Sequence, residues 1–414
     1  MKRRLRRLLH GQSHRATRVE ADQRSTRTSK AEPILWELFP RLAAVRLWAV
    51  VIGVGLAPIG VMGPWDDVWF VVGALMLVAT ILGPITRRAT INIGLAALAA
   101  TYTALSLLWS PQRTAGIPVA TALTIWVVTY LGVSAAAQDL RLTRILRVVA
   151  TAWTFGIGIG LVVVSSIPHS IKGVEWDWPI RHAAMAGVAL AALSLTTRKG
   201  RRLAGLGALT LLVGTLVSEA RTALVALLLV MIAIGVSWVT PRIRTLGTIV
   251  LVAGLALTVL APALQTRIAG GNTLQAVTTG RADVWSATWN ACDSWSWGEG
   301  TGFSNTVART ANEGFPDPHN EFLRFGCDIG PGLLLLIGFA LFSVARSFSL
   351  LGARSNSRIG IAALAGIGTL GIFSGFWNPL TALEYMVPLM AIVALADKSL
   401  ETMQEHGYLE NRQL

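Results

Sequence analysis

The chain has 414 residues, of which 53% are hydrophobic and 14% charged, with a formal net charge of +14 and a mean hydropathy of +0.56. That much apolar material, in repeated runs near the ~20 residues that cross a bilayer, excludes an ordinary soluble globular fold and points to a polytopic membrane protein. The basic excess is not a nucleic-acid footprint. Twelve of the 36 Lys and Arg precede residue 47, and most of the others fill short gaps between apolar runs, which is the orientation signal of membrane proteins.

Residues 1–42 form a basic tail with no apolar stretch long enough for a signal-peptide core, so they read as a retained cytoplasmic segment lying against anionic lipid. The apolar runs that follow predict about twelve transmembrane helices, near 43–62, 68–86, 89–108, 117–136, 148–166, 182–197, 203–218, 222–239, 245–263, 332–350, 359–376 and 379–396. With the tail inside, 28 of the 36 basic residues fall on the cytoplasmic side and eight outside. The expected fold class is therefore an all-α, multi-pass integral membrane protein. Helices fill 43–263 and 332–396, a long extracytoplasmic loop with short interfacial helices covers 264–331, a shorter outer loop lies near 167–181, and a cytoplasmic tail covers 397–414.

The polar residues that invite chemistry collect on the outer side. Arg221 stands in Ser218-Glu219-Ala220-Arg221-Thr222, a tight outer turn, where its planar fork suits a pair of phosphate oxygens or pairs with Glu219. Arg281 follows Thr278-Thr279-Gly280, and either threonine can cap a helix carrying Trp285 and Trp289 at the headgroup level. Arg281 would then sit in the first turn, where backbone N–H groups favour anions. Asp317-Pro318 reads as an N-cap followed by a first-turn proline, which places His319 in the first turn of a second helix. There the macrodipole favours a neutral imidazole, able to act as a general base; a loop histidine bonded to a neighbour is the plainer alternative.

Glu321, Arg324 and Asp328 follow His319 and either orient it or are solvated. Arg181-His182, ending the shorter outer loop beside Trp176 and Trp178, adds a cation and a polar contact or acts as an interfacial anchor. Gly298, Gly300 and Gly302 alternate, but no strand precedes them, so they read as a turn that lets backbone approach a ligand or helix. Cys292 and Cys327 both lie in the long loop, as a disulfide or as two buried thiols. No metal-binding or nucleotide motif is evident, and no cofactor is expected.

Taken together, Arg221 in Ser-Glu-Ala-Arg-Thr, Arg281 in Thr-Gly-Arg, the Gly-x-Gly-x-Gly-Phe run, Pro318-His319-Asn320-x-x-Leu323, and Gly330 with Gly332 resemble the O-antigen ligase and O-antigen polymerase superfamily. The motifs span roughly residues 180–350, and the twelve-helix layout with one long late outer loop extends the resemblance over the chain. It implies a metal-independent, inverting glycosyltransferase of the bacterial inner membrane. Such an enzyme moves a glycan from a polyprenyl diphosphate carrier, undecaprenyl diphosphate in bacteria, to a glycan, lipid or protein acceptor.

By position, Arg221 and Arg281 match the family arginines that hold the diphosphate, and His319 matches the histidine that activates the acceptor. Arg181, His182, Asn320 and Arg324 are the expected substrate contacts. Two departures stand out: His182-Ala183-Ala184 replaces a usual His-Pro-Asn, and Glu219-Ala220-Arg221-Thr222 replaces a usual Ser-Arg-Thr. The rival readings are a small-solute or anion transporter, which would place charges at midmembrane, and a non-catalytic partner in envelope assembly.

Overall fold

The computed structural model describes residues 40–61, 67–83, 90–137, 139–167, 177–197, 200–218, 220–236, 281–314, 317–350, 357–376 and 379–411. The regular elements among the described residues are all helices, without strands. In chain order the helices are α1 (Pro40–Leu56, continued by a 3-10 turn at Ala57–Val61), α2 (Asp67–Ile81), α3 (Thr90–Ser106), α4 (Arg113–Ala136), α5 (Leu140–Ser165), α6 (Asp177–Ser194), α7 (Arg201–Val217) and α8 (Arg221–Val236). Then come α9 (Arg281–Ala291), α10 (Phe303–Ala311), α11 (Glu321–Ile329), α12 (Gly332–Ser349), α13 (Ser357–Phe376) and α14 (Leu383–Asn411).

Eleven of the twelve apolar runs fall on these helices, and the run at 245–263 lies outside the described residues. Among the described residues, four helical stretches are long and apolar enough to cross a bilayer: Leu42–Gly60, Arg113–Ala136, Arg141–Ser165 and Gly332–Ser349. Their neighbours carry the same signature on their outer faces. Phe70, Ile81, Val148, Leu334 and Leu341 are each about two-thirds exposed, which a water-soluble surface would not tolerate in such number but a lipid surface requires. The tail expected over 397–414 is helical through Asn411, because α14 continues without a break past the end of its apolar run.

Two helices organise the core. Along α4, Leu123, Trp126, Tyr130 and Val133 are buried, and this helix packs against α2, α3 and α14. Every residue of α6 from Ala184 to Leu193 is buried, nearly all of them small or aliphatic, so neighbouring backbones approach closely. A polar knot crosses the core where α3, α4, α12 and α14 meet. Asn92 Nδ2 donates to Ser343 Oγ at 2.9 Å and to Asp397 Oδ2 at 3.0 Å, Tyr130 donates its hydroxyl to Asp397, and Arg346 Nε donates to Asp397 Oδ1 at 2.6 Å. In an apolar surround each unmade bond would cost far more than in water, so this knot fixes the register of the four helices.

The arrangement of α12 yields a test of sidedness. It separates the segment carrying Asn312 from the segment carrying Arg354 by an 18-residue apolar helix. Topology reporters fused at Asn312 and at Arg354 are expected to report opposite sides of the membrane. The same side for both would rule out a membrane-crossing α12.

Candidate functional site

The segment from Arg281 to Gly332 is a compact unit of three short helices bolted to the bundle. The disulfide Cys292–Cys327 joins the end of α9 to α11, with the two Cα atoms 5.5 Å apart. Between these helices the glycine turn threads backbone against backbone. Gly300 (φ +99°) and Gly302 (φ +96°) adopt left-handed conformations, and a Cβ on them would lie 2.4 Å from Ser110 Cα and 2.5 Å from Gly116 N. Only glycine fits there, and the close approach is to the α3–α4 turn and the start of α4.

Thr301, buried between the two glycines, completes the joint. Its hydroxyl pairs with that of Ser106 and donates to the Thr103 carbonyl at 3.1 Å, while Ser110 Oγ donates to the Thr301 carbonyl at 3.0 Å. Asp328 accepts the backbone N–H of Gly302 and of Ser304, both at 2.8 Å, and so caps α10, a helix the sequence did not announce. Burial pushes the Asp328 carboxyl up, and those N–H donors and the Arg324 charge pull it back. Asp328 is therefore a structural anchor, not the solvated residue that sequence alone allowed.

On this platform α9 begins at Arg281, as expected; the threonines proposed to cap it, Thr278 and Thr279, lie outside the described residues. The tryptophans of α9 divide their roles. Trp289 is exposed and packs on Trp295 with ring centroids 4.7 Å apart, an arrangement suited to a headgroup layer. Trp285 turns inward, and its Nε1–H donates to the Pro318 carbonyl at 2.7 Å. That bond ties the Arg281 helix to the His319 turn.

The start of α11 lies three residues beyond the expectation. Its N-cap is Asn320, whose Oδ1 accepts the Leu323 N–H at 3.1 Å, so His319 stands just before the helix rather than in its first turn. His319 is the one described non-glycine residue at positive φ (+51°), a strained conformation of the kind that clusters at functional sites. The cause is local: Asp317 Oδ1 accepts the His319 N–H at 2.9 Å and also pairs with its ring Nδ1, an Asx turn that closes before a helix can start. In the tautomer that donates Nδ1–H to Asp317, Nε2 is the acceptor atom of the ring.

Arg281, Arg181 and Asp317 come together around this turn. Burial pushes the Arg281 guanidinium below its ordinary value, the positive charge of Arg181 adds to the effect, and Asp317 opposes it. Arg181 is exposed near the start of α6. Its neighbour His182 pairs through Nδ1 with the buried Glu384 in the first turn of α14, which locks α6 to α14. Arg221 opens α8, which packs against α6 and α13; its side chain lies outside what the structure describes.

Arg324 and Glu321 sit one turn apart on α11 and are almost fully buried, so they too are not solvated. Arg324 NH1 lies 3.6 Å from Glu321 Oε2 and donates to Thr381 Oγ1 at 3.2 Å, while Glu321 Oε1 accepts the Leu380 N–H at 3.0 Å. These contacts anchor α11 to the turn leading into α14, the same segment that holds His182. Burial pushes the Glu321 carboxyl up to about 8; Arg324 lowers it and Asp317 raises it. At neutral pH the group is therefore mostly protonated, which leaves the arginine charge nearby less compensated.

Because the folded-state value exceeds the ~4.3 of a free glutamate, the folded chain binds the extra proton between those limits, and Glu321 costs stability as pH rises from about 4 to about 8. Thermal midpoints measured across pH 5–8 are expected to decline less in Glu321→Gln than in the parent. An identical slope in both would remove Glu321 as the source.

Glu384, Thr381, Asp317 and Glu321 are the residues that sequence reasoning missed or under-read. Glu384 carried a usable signal, as a lone acid near the start of an otherwise apolar run.

No curated protein matches the chain. Residues 206–342, which contain Arg221, Arg281, His319, Asn320 and Arg324 but not Arg181 or His182, match the family model described as O-antigen ligase. This match, over about a third of the chain, supports the resemblance to the O-antigen ligase and O-antigen polymerase superfamily.

Proposed function

We propose that the protein is a glycosyltransferase that moves a glycan from a polyprenyl diphosphate carrier to an acceptor hydroxyl at the extracytoplasmic face of the bacterial inner membrane. The observation that carries this reading is the half-buried Arg281 at the N-terminus of α9, beside Arg181 and tethered through Trp285 to the His319–Asp317 turn. The family match adds membrane glycosyl transfer as the general activity.

Arg281 and Arg181, together with Arg221, would hold the diphosphate and stabilise the charge that develops on it as the anomeric C–O bond breaks. His319 Nε2 would accept the proton from the acceptor hydroxyl as its oxygen attacks the anomeric carbon, with Asp317 holding the ring and the imidazolium that forms. The carrier leaves as polyprenyl diphosphate, and attack opposite the leaving group inverts the anomeric centre. The proposal assigns Asn320, Arg324 and His182 to positioning: the first caps α11, the second anchors it, and the third locks α6 to α14.

Protein reconstituted in liposomes with a polyprenyl-diphosphate glycan and an acceptor glycan or lipid is expected to form the transferred product. Under the same conditions His319→Ala should lower the rate by about 10²–10⁴-fold, the usual contribution of a general base. If the wild type moves a soluble anion across the bilayer and transfers no glycan, the transporter reading replaces this one.

A further inference from the structure

The end of the bundle away from Arg281 holds a second feature, which is independent of the glycosyl-transfer reading. His182 and Thr196 lie at opposite ends of α6 and its terminal turn, and Glu384 and Lys398 are 14 residues apart on α14. At 1.5 Å per residue either separation is about 21 Å. Between α5, the turn after α6, and the starts of α7 and α13, with α14 behind, lies a cavity of about 980 Å³. Among the described residues, its wall carries Arg144, Arg147, Arg358 and Lys398 and no acidic side chain.

The cavity is built rather than incidental. Arg147 Nε donates to Thr196 Oγ1 at 2.8 Å and Arg358 NH1 to the Thr197 carbonyl at 3.4 Å, so two of the cations are held in place by neutral groups of the same turn. Lys398 lies 3.1 Å from the buried Glu401, which holds it at the cavity wall. Arg144 is exposed on the same face of α5, three residues before Arg147. The rim is apolar: Val148 is 65% exposed and Leu203 59%, the exposure of side chains that meet lipid. A basic pocket with hydroxyl donors that opens sideways onto an apolar rim matches a phosphate carrying acyl chains, whereas a soluble anion gains nothing from the rim.

We propose that this cavity binds the phosphate headgroup of an anionic phospholipid, with the acyl chains lying over Val148 and Leu203. The test uses the full chain, purified in detergent and stripped of lipid. Phosphatidylglycerol, phosphatidylcholine or inorganic phosphate is added, and bound lipid (native mass spectrometry) and thermal midpoint are measured. Phosphatidylglycerol is expected to be retained and to raise the midpoint, with phosphatidylcholine and inorganic phosphate ineffective.

Arg144→Gln and Lys398→Gln should each weaken retention about fivefold, the factor corresponding to ~1 kcal/mol per basic residue. Arg144→Lys should retain most of the binding. Arg141→Gln and Arg202→Gln remove exposed cations from the same end outside the cavity and should change little. Equal losses in the cavity and control variants would reduce the cluster to a general basic belt and overturn the proposal. So would unchanged retention in both cavity variants, or inorganic phosphate as effective as the lipid.

Discussion

Arg281→Ala should lower glycan transfer by about 10²–10³-fold, the loss seen when one donor of a preorganised anion site is removed, while the chain still folds. The size follows from where the side chain stands. Arg281 is half-buried at the first position of α9, so its charge adds to the exposed backbone N–H groups of the helix end in a partly water-free setting. Folding should survive because removing the guanidinium relieves its repulsion from Arg181 and opens no large apolar cavity. The measurement is transfer by reconstituted protein at saturating acceptor, with elution profile and thermal midpoint as controls for folding. Arg281→Lys separates charge from geometry, since a lysine keeps the charge but cannot present two parallel N–H bonds to a phosphate. Parent-level transfer in Arg281→Ala would remove the diphosphate site from the proposal.

The second large effect is expected from Gly302→Ala, far smaller in chemistry and remote from any reacting atom. An alanine there must hold φ near +96° and place its Cβ 2.5 Å from the Gly116 backbone nitrogen. Left-handed strain and overpacking each cost ~1–3 kcal/mol, and neither can relax while Thr301 stays bonded to the α3–α4 turn. The three-helix unit should therefore detach from the bundle. Transfer should fall at least tenfold, and limited proteolysis should cut between α9 and α11 in the variant and not in the parent. Gly94→Ala, in α3 with open space around the added methyl, is the matched control and should be neutral. Normal protease resistance in Gly302→Ala would show that the docking of the glycine turn does not hold the unit in place.

These two residues also mark what the sequence could and could not disclose. Apolar runs are long and their breakers sharp, so helix positions are readable, and tryptophans at helical spacing are a local pattern that puts Arg281 on a helix, while the threonines read as its cap lie outside the described residues. The helix start beside His319 lies three residues later than Asp317-Pro318 gives, for an equally local reason. Asp317-Pro318 has the form of a cap, but the Asp317 side chain is spent on His319, and the cap passes to Asn320. The glycine run was read as a close approach, yet its partner, the α3–α4 turn nearly 190 residues earlier, is visible only in three dimensions. The His182–Glu384 pair, 202 residues apart, and the burial of Glu321 depend on the same long-range packing. No periodicity or propensity encodes which distant turn a side chain will meet.

The juxtaposition of Arg181 and Arg281 has a thermodynamic side as well. The exposed Arg181 and the half-buried Arg281 are like charges held close, and the rest of the fold must offset their repulsion. Under the proposed function, a dianionic headgroup arriving between them would act as counterion before it acts as substrate, and would join α6 of the bundle to α9 of the docked unit. Loading of the donor would thus be coupled to rigidity. The empty enzyme should exchange its amide hydrogens faster around residues 281–291 and 317–321, and the donor should slow that exchange before any acceptor is bound.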